Sequence, residues 1–377
     1  MIKVLHVYRT FFPDSQGGLE EVIRQISLNA VASQIRVFSI SSKINKPDIV
    51  NVDGISVYRI PLSFELASCS FAFKGLEVFK SLAEWADIIN YHFPWPFADM
   101  LHLLYCKNKK TVVTYHSDII RQKTLLKLYR PLQRKFLSSV DRIVATSPNY
   151  FQTSRVLQTY NEKVEIIPIG LDEKSYPQVD DERTTYWRKK INSTFFLFVG
   201  VLRYYKGLHI AIEAAKNAAY KIVIVGAGPI EQELKVQAEK EGINNILFLG
   251  YLDDIDKVAL LSICRGVVFP SYLRSEAFGV TLLEGAMYAK PLISVEIGSG
   301  MSYVNIHNKT GLQVTPGNVK AFRDAMDKLY KDEAYAVKLG KAARKRFEKL
   351  FTGAEMGKKY DELYLSLMNE KKPQANL

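Results

Sequence analysis

Short runs of apolar, mostly β-branched residues alternate with longer segments of helical period along most of the chain. The first run covers residues 2–8, and after a polar turn Leu19, Val22, Ile23 and Ile26 repeat at the spacing of one helical face. Further runs of strand type follow before residue 170, at 35–40, 55–60, 87–90, 111–115, 142–146 and 164–168. Strands alternating with helices predict an α/β fold with a parallel sheet covered on both faces.

The alternation stops once and then restarts. Residues 172–192 are rich in charge and show no strand pattern, so we interpret 171–193 as a linker region. Strand-type runs resume at 194–199, 221–225, 246–249, 266–269, 291–294 and 311–314. We therefore predict two Rossmann-like, doubly wound domains at 1–170 and 194–353, and at 354–377 a C-terminal helix that packs back on the first domain and ends in a frayed tail. Because ligands bind at the carboxyl ends of parallel strands, the two sheets are expected to face a central cleft.

The composition is that of a folded protein with an excess of base. The 377 residues include 51 Lys and Arg against 39 Asp and Glu, a formal net charge of +12, and 47% are hydrophobic. At about 100 to 200 residues per domain, two or three domains each bury a core, which excludes disordered and miniprotein scaffolds. The cysteines, Cys69, Cys106 and Cys264, match neither a disulfide framework nor a zinc spacing, so we expect a reduced, cytosolic protein.

The excess of basic residues is concentrated between residues 101 and 150. Ten Lys and Arg stand there against only Asp118 and Asp141, which leaves +8 in this stretch: Lys107, Lys109, Lys110, Arg121, Lys123, Lys127, Arg130, Arg134, Lys135 and Arg142. Such a stretch can face nucleic acid, an anionic membrane or a phosphorylated substrate, and charge alone does not choose among them. Residues 121–136 also interleave leucines with the cations, as in helices that lie on anionic membranes, although a core-packed helix with a solvated face has the same pattern.

Each predicted domain offers groups suited to a phosphate near its first strand. Gly17 and Gly18 precede a helix whose amino end attracts an anion, although an isolated glycine pair equally makes a tight turn. No acid follows at the place expected in a dinucleotide fingerprint, which disfavours a dehydrogenase. Arg203 and Lys206 follow the first strand of the second domain, where cations neutralise a diphosphate, although loop cations are often only solvated.

The segment from Glu276 to Glu284 is the most informative one. Its two glutamates are eight residues apart, or about 12 Å if the segment is mostly helical. Catalytic carboxylates of glycosidases lie closer, about 5 to 9.5 Å apart, so we favour two carboxylates that grip the hydroxyls of an extended ligand. In a sugar nucleotide, Glu276 would meet the hexose and Glu284 the ribose, and the amides of residues 278–280 (Phe278, Gly279, Val280) would reach hydroxyls or phosphate.

The sequence strongly resembles the retaining glycosyltransferases of family 4, which have the GT-B fold. The resemblance covers nearly the whole chain, and it depends on the order and spacing of several motifs. These are Gly17-Gly18, Thr114-Tyr115-His116, residues 167–172, 203–207 and 226–229, Glu276 to Glu284, Pro291 and residues 310–312.

The resemblance implies a role for each matched position. Glu276 would contact the donor sugar, Glu284 the ribose, and Arg203 and Lys206 the diphosphate. The Gly18 amide would bind the same phosphates from the first, acceptor-side domain, and Asp14 would touch the acceptor. His116, which as a lone histidine after a strand is more often structural, matches a family histidine near the donor sugar's exocyclic oxygen and the reaction centre.

Two departures from the family pattern concern cations. The family often has Arg directly after the glycine of its strand-loop segment, where this chain has Val201, so Arg203 would act from a shifted register. Arg274 stands just before Glu276, and the sequence assigns it no role. Asp254-Ile255-Asp256 spells a metal-binding Asp-x-Asp, but acids in the first turn of a helix explain it equally well. We expect no metal site and no divalent ion or other cofactor.

The donor and the partners rest on the resemblance alone. The stretches 274–279, 296–300 and 302–304 resemble bacterial O-antigen and polysaccharide mannosyltransferases that use GDP-mannose, with a UDP-hexose as the alternative donor. The expected acceptor is a glycan linked to undecaprenyl diphosphate, and residues 107–135 would hold the enzyme at the inner face of the plasma membrane. A GT-B sugar-nucleotide 2-epimerase and a nucleic-acid-binding protein are the rival interpretations. The second would need interleaved aromatics along a groove, so we expect no nucleic acid partner.

Overall fold

The computed structural model describes residues 1–66, 69–106, 108–119 and 123–370, without the side chains of Lys123 and Thr124. These residues form two compact units. The first contains Met1–Thr146, Ser154–Ile169 and the chain from Gly353 onwards, and the second contains Ser147–Thr153 and Gly170–Thr352. Within the described residues, no helix combines the length and the apolarity needed to cross a membrane.

Eight of the described strands of the first unit form one sheet, in the spatial order β10-β9-β8-β7-β1-β2-β4-β3. Its strands are β1 (Ile2–Val7), β2 (Ser33–Ser41), β3 (Asp48–Val52), β4 (Ile55–Pro61), β7 (Ile88–Phe93), β8 (Lys110–Tyr115), β9 (Arg142–Ala145) and β10 (Val164–Ile166); β5 (Phe64–Leu66) and β6 (Cys69–Phe71) form a separate hairpin. All neighbours in the large sheet are parallel except β3 and β4. The order reverses between β1 and β7, because β2 lies on the other side of β1.

Helices cover this sheet, and their apolar faces explain why they form. They are α1 (Gly18–Asn29), α2 (Leu76–Trp85), α3 (Pro96–Tyr105), α4 (Lys123–Ser139), α6 (Arg155–Thr159) and α15 (Gly353–Asn369). Val22, Ile23 and Ile26 of α1 are buried, as their spacing predicts. The C-terminal helix α15 packs against α1, and its Asp361 accepts hydrogen bonds from the Ala32 amide and the Ser33 hydroxyl.

The second unit has one described sheet of six parallel strands, in the order β13-β12-β11-β14-β15-β16. Its strands are β11 (Phe195–Val199), β12 (Lys221–Val225), β13 (Ile246–Gly250), β14 (Gly266–Phe269), β15 (Leu292–Val295) and β16 (Gly311–Val314). Its helices are α5 (Pro148–Thr153), α7 (Asp181–Ile191), α8 (Leu208–Ala214), α9 (Glu231–Lys240), α10 (Asp254–Ile263), α11 (Val280–Met287), α12 (Met301–Val304), α13 (Val319–Lys331) and α14 (Glu333–Leu350). The fold prediction of two doubly wound parallel-sheet domains is confirmed.

The structure differs from the predicted boundaries in two places. The stretch 171–193, interpreted as a linker region, belongs to the second unit and contains α7, which Asp180 caps by accepting from the Arg183 amide. The same unit also takes in α5, from a segment predicted to belong to the first domain. The sequence did not reveal α7 as part of a domain because most of its residues are charged or polar, and its buried residues are only Trp187 and Ile191. The helix packs against α10.

Candidate active site

The sheet of the second unit reverses its order between β11 and β14, and most predicted donor-site residues lie at the carboxyl ends of these two strands. From β11 the chain moves outward through β12 and β13, whereas β14, β15 and β16 lie on the other side. Loops that leave adjacent strands in opposite directions open a crevice at such a switch point. Arg203 and Lys206 follow β11, and Glu276 follows β14.

Lys206 and Glu276 meet at this point. The Lys206 ammonium donates to a Glu276 carboxylate oxygen at 2.5 Å, and each side chain is only 13% exposed. The ammonium also lies 4.7 Å from the centre of the Phe269 ring, at the end of β14. Two residues 70 positions apart in the chain therefore form one half-buried ion pair, in which each charge neutralises the other.

Glycines let the loops around this pair approach closely. Gly226, which follows β12, has φ +129°, and a Cβ there would lie 2.0 Å from the Gly200 carbonyl oxygen. Gly207 has φ +69°, and its Cβ would lie 2.2 Å from the Pro270 carbonyl oxygen. A side chain at either position would push apart the segments that follow β11, β12 and β14.

Arg203 lies beside the pair but differs from Lys206 in its environment. It is exposed, and no carboxylate in the described part of the chain forms a salt bridge with it. The neighbouring Tyr205 is partly buried, and burial together with the charge of Glu276 raises the pKa of its hydroxyl to about 12. Arg203 thus offers a full positive charge to an incoming anion.

Glu284 is buried at 6% exposure in α11, where it has its own partners. The Lys257 ammonium of α10 lies 3.0 Å from its carboxylate, and the Tyr176 hydroxyl donates to the same oxygen at 3.2 Å. Burial lowers the pKa of Lys257, but the charges of Glu284 and Asp254 outweigh it and leave this pKa raised. The sequence analysis did not identify Lys257 or Tyr176, which lie far from the glutamate in the chain.

The residues between the two glutamates form the entrance to α11. The helix begins only at Val280, so the stretch from Glu276 to Gly279 is a loop, and the helical spacing assumed from sequence does not apply to it. Phe278 is buried against Phe351, and Gly279 holds the N-cap position with φ +87°. The Thr281 hydroxyl donates to the Val199 carbonyl at the end of β11, which fixes the start of α11 beside the switch point.

Arg274, to which the sequence assigned no role, bridges two segments of the second unit. Its guanidinium donates to the Gly298 carbonyl at 2.9 Å and lies 5.2 Å from the centre of the Tyr150 ring in α5. The Thr153 hydroxyl donates to the same carbonyl. Arg274 therefore helps to hold α5 on the second unit.

Asp254 and Asp256 have separate partners. Asp254 pairs with Lys257, while the buried Asp256 accepts from the Trp187 indole and the Arg183 guanidinium, at 2.7 Å each. These bonds join α10 to α7. Among the described residues no cluster of three or more His, Cys, Asp or Glu has the geometry of a metal site.

In the first unit, Gly17 and Gly18 lie where the sequence places them, between β1 and α1, with Gly18 the first residue of the helix. The anion nearest to them is the chain's own Glu20. Its carboxylate accepts from the Ser15 hydroxyl at 2.7 Å and lies 2.8 Å from where a Gly17 Cβ would stand. Arg9 lies just after β1. Burial lowers its pKa, but the interactions with Tyr8, Glu20 and Glu65 outweigh burial and leave the pKa raised. A phosphate here would therefore share the helix terminus with Glu20.

Asp14 and His116 are both engaged within the first unit. The Arg59 guanidinium of β4 donates to both carboxylate oxygens of Asp14, at 3.1 and 3.2 Å, and the Asp14 side chain is 11% exposed. His116 follows β8 and is 6% exposed. Its Nε2 lies 2.9 Å from Nδ1 of His92, a residue that the sequence analysis did not identify.

The basic stretch divides into engaged and exposed cations. Lys109 donates to the carbonyls of Glu84 and Ala86, Lys110 donates to the Glu370 carbonyl, and Arg142 pairs with Glu165 and Glu370. The cations of α4 with described side chains are exposed instead: Lys127, Arg130, Arg134 and Lys135. Leu125 and Leu128 of α4 are 45% and 77% exposed, whereas its Phe136 is buried. Lys107 and Arg121 lie outside the described residues.

Sequence comparison identifies the class of protein to which this fold and these switch-point residues belong. The profile of Glycosyltransferase Family 4 matches residues 16–175, and that of Glycosyl transferases group 1 matches residues 182–346. The chain belongs to this family of GT-B glycosyltransferases, and the resemblance stated from its motifs is confirmed.

Two relatives are similar along nearly their whole length. D-rhamnosyltransferase WbpZ of Pseudomonas aeruginosa is 52% identical over 93% of this chain and 92% of its own. O-antigen chain mannosyltransferase C of Escherichia coli is 47% identical over 98% of this chain and 100% of its own. The relatives agree on glycosyl transfer and differ in the sugar that their names give.

Solved structures support the fold. Sucrose-phosphate synthase of Thermosynechococcus elongatus superimposes with a TM-score of 0.81 at 19% identity, over 98% of this chain and 99% of that one. HepE of Anabaena, solved in complex with UDP-glucose, gives 0.77 at 19% identity, over 97% and 100%.

Proposed function

We propose that this glycosyltransferase transfers mannose from GDP-mannose, with retention of configuration, to a sugar hydroxyl of a lipid-linked glycan in O-antigen or surface polysaccharide biosynthesis. The 47% identity to an O-antigen mannosyltransferase over the full length of both chains supports the sugar and the pathway. The 52% identity to a D-rhamnosyltransferase makes D-rhamnose the second candidate.

The observation that carries the proposal is the ion pair of Lys206 with Glu276 at the switch point of the second sheet. In the structure, the Lys206 ammonium lies 2.5 Å from the Glu276 carboxylate and neutralises it. A diphosphate placed between Arg203 and Lys206 would draw the ammonium towards itself and free the carboxylate to accept a hydrogen bond from a sugar hydroxyl. Donor binding would thus separate the Lys206–Glu276 ion pair, so that the ammonium binds the diphosphate and the carboxylate binds the sugar.

The remaining groups fit the other parts of a nucleotide sugar. Amides at the start of α11 would bind hydroxyls or phosphate, and Glu284 would accept from the ribose hydroxyls while Lys257 and Tyr176 hold its carboxylate in place. The acceptor hydroxyl would attack from the face of the leaving group and pass its proton to a phosphate oxygen. Because Arg203 and Lys206 neutralise the leaving diphosphate, we propose that transfer needs no divalent ion. Activity that is unchanged in EDTA is the expected result.

A donor panel tests the sugar. Purified enzyme is given GDP-mannose, the GDP derivative of D-rhamnose, or UDP-glucose with a lipid-linked acceptor, and the product's anomeric configuration is read by NMR. We expect an α-mannosyl product from the α-linked donor and loss of transfer in Glu276→Ala. Turnover only with the D-rhamnose donor would assign the second candidate, and turnover only with UDP-glucose would reject both. A 2-epimerase would change the nucleotide sugar without any acceptor.

We propose that α4 attaches the enzyme to the anionic inner face of the plasma membrane. Exposed Leu125 and Leu128 stand among the exposed cations of the same helix, which suits a surface that is both apolar and negatively charged. Lys109, Lys110 and Arg142 do not contribute, since they bind groups within the first unit.

Sedimentation with vesicles of phosphatidylglycerol and phosphatidylethanolamine tests this attachment. We expect the triple variant Lys127→Glu, Arg130→Glu, Arg134→Glu to lose binding. The matched control changes three exposed lysines of α14, Lys338, Lys341 and Lys345, to Glu, so the net charge changes equally. Equal binding by both variants would contradict a specific role of α4.

A further inference from the structure

Three histidines form a continuous hydrogen-bonded row across adjacent strands of the first sheet. Nδ1 of His6, in β1, lies 2.7 Å from Nε2 of His92, in β7. Nδ1 of His92 lies 2.9 Å from Nε2 of His116, which directly follows β8. The rings stack at 5.1 and 5.2 Å between centroids. The row crosses the switch point between β1 and β7 and ends at His116.

Only one end of the row approaches the surface. His6 and His92 are 0% and 1% exposed, whereas His116 is 6% exposed. Burial lowers the pKa of His6 and of His116 to about 3, and burial and the neighbouring histidines lower that of His92 well below its usual value. All three rings are therefore neutral near pH 7, and each carries a single proton on one of its two nitrogens.

Because each neutral ring has one N–H donor and one bare acceptor nitrogen, both hydrogen bonds of the row must run in the same direction. If His6 donates from Nδ1, then His92 accepts at Nε2 and donates from Nδ1, and His116 accepts at Nε2 and carries its proton on Nδ1. In the opposite direction, all three protons lie on Nε2. Each bond thus determines the tautomer of the next ring.

The buried end of the row selects between the two directions. Nε2 of His6 is enclosed and has no hydrogen-bond partner among the described residues. A buried N–H without an acceptor is rarer in proteins than a buried acceptor without a donor. The favoured direction of donation is therefore the one in which Nε2 of His6 carries no proton. In that direction, the proton of His6 lies on Nδ1.

We propose that His6 and His92 are positioning residues that set the tautomer of His116, so that His116 presents its Nδ1–H as a hydrogen-bond donor at the carboxyl edge of the first sheet. Neither residue touches substrate. The tautomer of His116 does not depend on the proposed function. Only its catalytic consequence rests on that function, in which His116 would donate to an oxygen of the donor sugar.

NMR of the wild-type chain with ¹⁵N-labelled histidine tests the tautomer directly, because protonated and bare imidazole nitrogens have widely separated shifts. The six histidines of the chain are assigned from single His→Asn variants. We expect Nδ1–H on His6, His92 and His116 at pH 7.5. A proton on Nε2 of His116, or a charged ring in the row, would overturn the proposal.

Two variants of His6 test the transmission along the row. In His6→Met, the thioether can only accept, so Nε2 of His92 loses its donor and gains an acceptor, and His92 and His116 are expected to shift towards the Nε2–H tautomer. In His6→Asn, the amide N–H₂ stands near the original Nδ1 and should preserve the wild-type spectrum of His116. An unchanged His116 spectrum in His6→Met would overturn the positioning role.

Transfer kinetics of the same variants add a second measurement. We expect kcat to fall about tenfold in His6→Met, with the KM for the nucleotide sugar within about twofold, and to recover in His6→Asn. If the tautomer shifts but kcat is unchanged, the positioning role of His6 and His92 is supported, and His116 has no role in the proposed reaction. If His6→Met does not fold, the wild-type spectrum and His6→Asn still decide the tautomer.

Discussion

At the scale of single residues, both glutamates of the candidate donor site are already paired within the second unit. Glu276 is held by Lys206, and Glu284 is held by Lys257 and Tyr176. A charge that is only partly exposed costs free energy unless it is paired, so these partners stabilise the second unit. Substitutions here should therefore affect stability as well as catalysis, so both are measured for each variant.

Replacement of Lys206 by Ala should lower kcat/KM for transfer about 100- to 1000-fold, the usual cost of losing one group that stabilises developing negative charge. Lys206→Arg keeps the charge and should retain more activity. The melting temperature should also fall, because Glu276, whose side chain is only 13% exposed, is left without its cation. Lys235→Ala, which removes an exposed lysine paired with Glu231, is the control. Activity of Lys206→Ala above a tenth of wild type would contradict the assigned role.

The histidine row should make stability depend on pH. Its rings are neutral in the folded state down to about pH 3 for His6 and His116, whereas an unfolded histidine takes up a proton near pH 6.5. The free energy of unfolding is therefore full above about pH 6.5 and falls as the pH decreases towards 3, by up to about 1.4 kcal/mol per pH unit for each histidine.

Urea unfolding at pH 7 and pH 5 measures this dependence. We expect His6→Asn to reduce the slope, while His209→Asn, which replaces an exposed histidine, leaves it unchanged. Equal slopes in all three proteins would contradict neutral burial of the row.

At the scale of elements, helices that look like linkers or tails by composition are joined to the sheets by a few buried polar groups. The charged helix α7 is tied to α10 through Asp256, and α15 reaches the first sheet through Tyr360 and Tyr364. Their hydroxyls bond to Thr114 and Asn90 within the core.

Replacement of Asp256 by Ala should destabilise the second unit by about 1 to 3 kcal/mol, because the Trp187 indole and the Arg183 guanidinium lose their acceptor. Activity at a permissive temperature, and its independence of divalent ions, should be unchanged. Asp324→Ala removes only an exposed pair with Lys320 and should cost less than about 1 kcal/mol. Loss of activity in a stably folded Asp256→Ala protein would instead favour a role in the reaction.

Close packing of α15 on α1 makes a second element-scale prediction. A Cβ at Gly357 would lie 2.1 Å from the Asn29 carbonyl oxygen, at the end of α1. Gly357→Ala should therefore separate the helices and cost about 1 to 3 kcal/mol in chemical denaturation. Lys358→Ala, on the exposed side of the same helix, should be nearly neutral. Equal stability of the two variants would contradict the contact.

At the scale of the whole molecule, the first unit depends on both ends of the chain. It is assembled from three segments, and α15 contributes buried Tyr360, Leu363, Tyr364 and Leu367. The second unit has its sheet within one continuous segment, Gly170–Thr352.

Deletion of residues 353–377 should therefore unfold the first unit and spare the second. Hydrogen exchange should show lost protection in β1, β7 and β8 and retained protection in β11, β12 and β14, and glycosyl transfer should be abolished. Deletion of 371–377 alone is the control and should leave both sheets protected. Retained protection of β1 in the longer deletion would contradict the role of α15.

Much of this molecule follows from local sequence. The strand runs and helical faces predict two parallel-sheet domains because their periodicity is set by neighbouring residues, and a motif such as Glu276 to Glu284 is readable at fixed spacing. Strand β3 was missed although Asp53 and Gly54 make the tight turn to β4, both with positive φ; an Asp-Gly pair between apolar runs is a known hairpin signal.

What only the tertiary structure decided are the partners of these residues. Lys206 meets Glu276 across 70 positions, His6 meets His92 across 86, and Tyr364 meets Asn90 across 274. In a parallel sheet the order of strands in space differs from their order in the chain, so sequence spacing carries no information about which carboxyl ends lie side by side. The sequence by itself determined which chemical groups this glycosyltransferase has, and the tertiary structure determined which of them lie side by side.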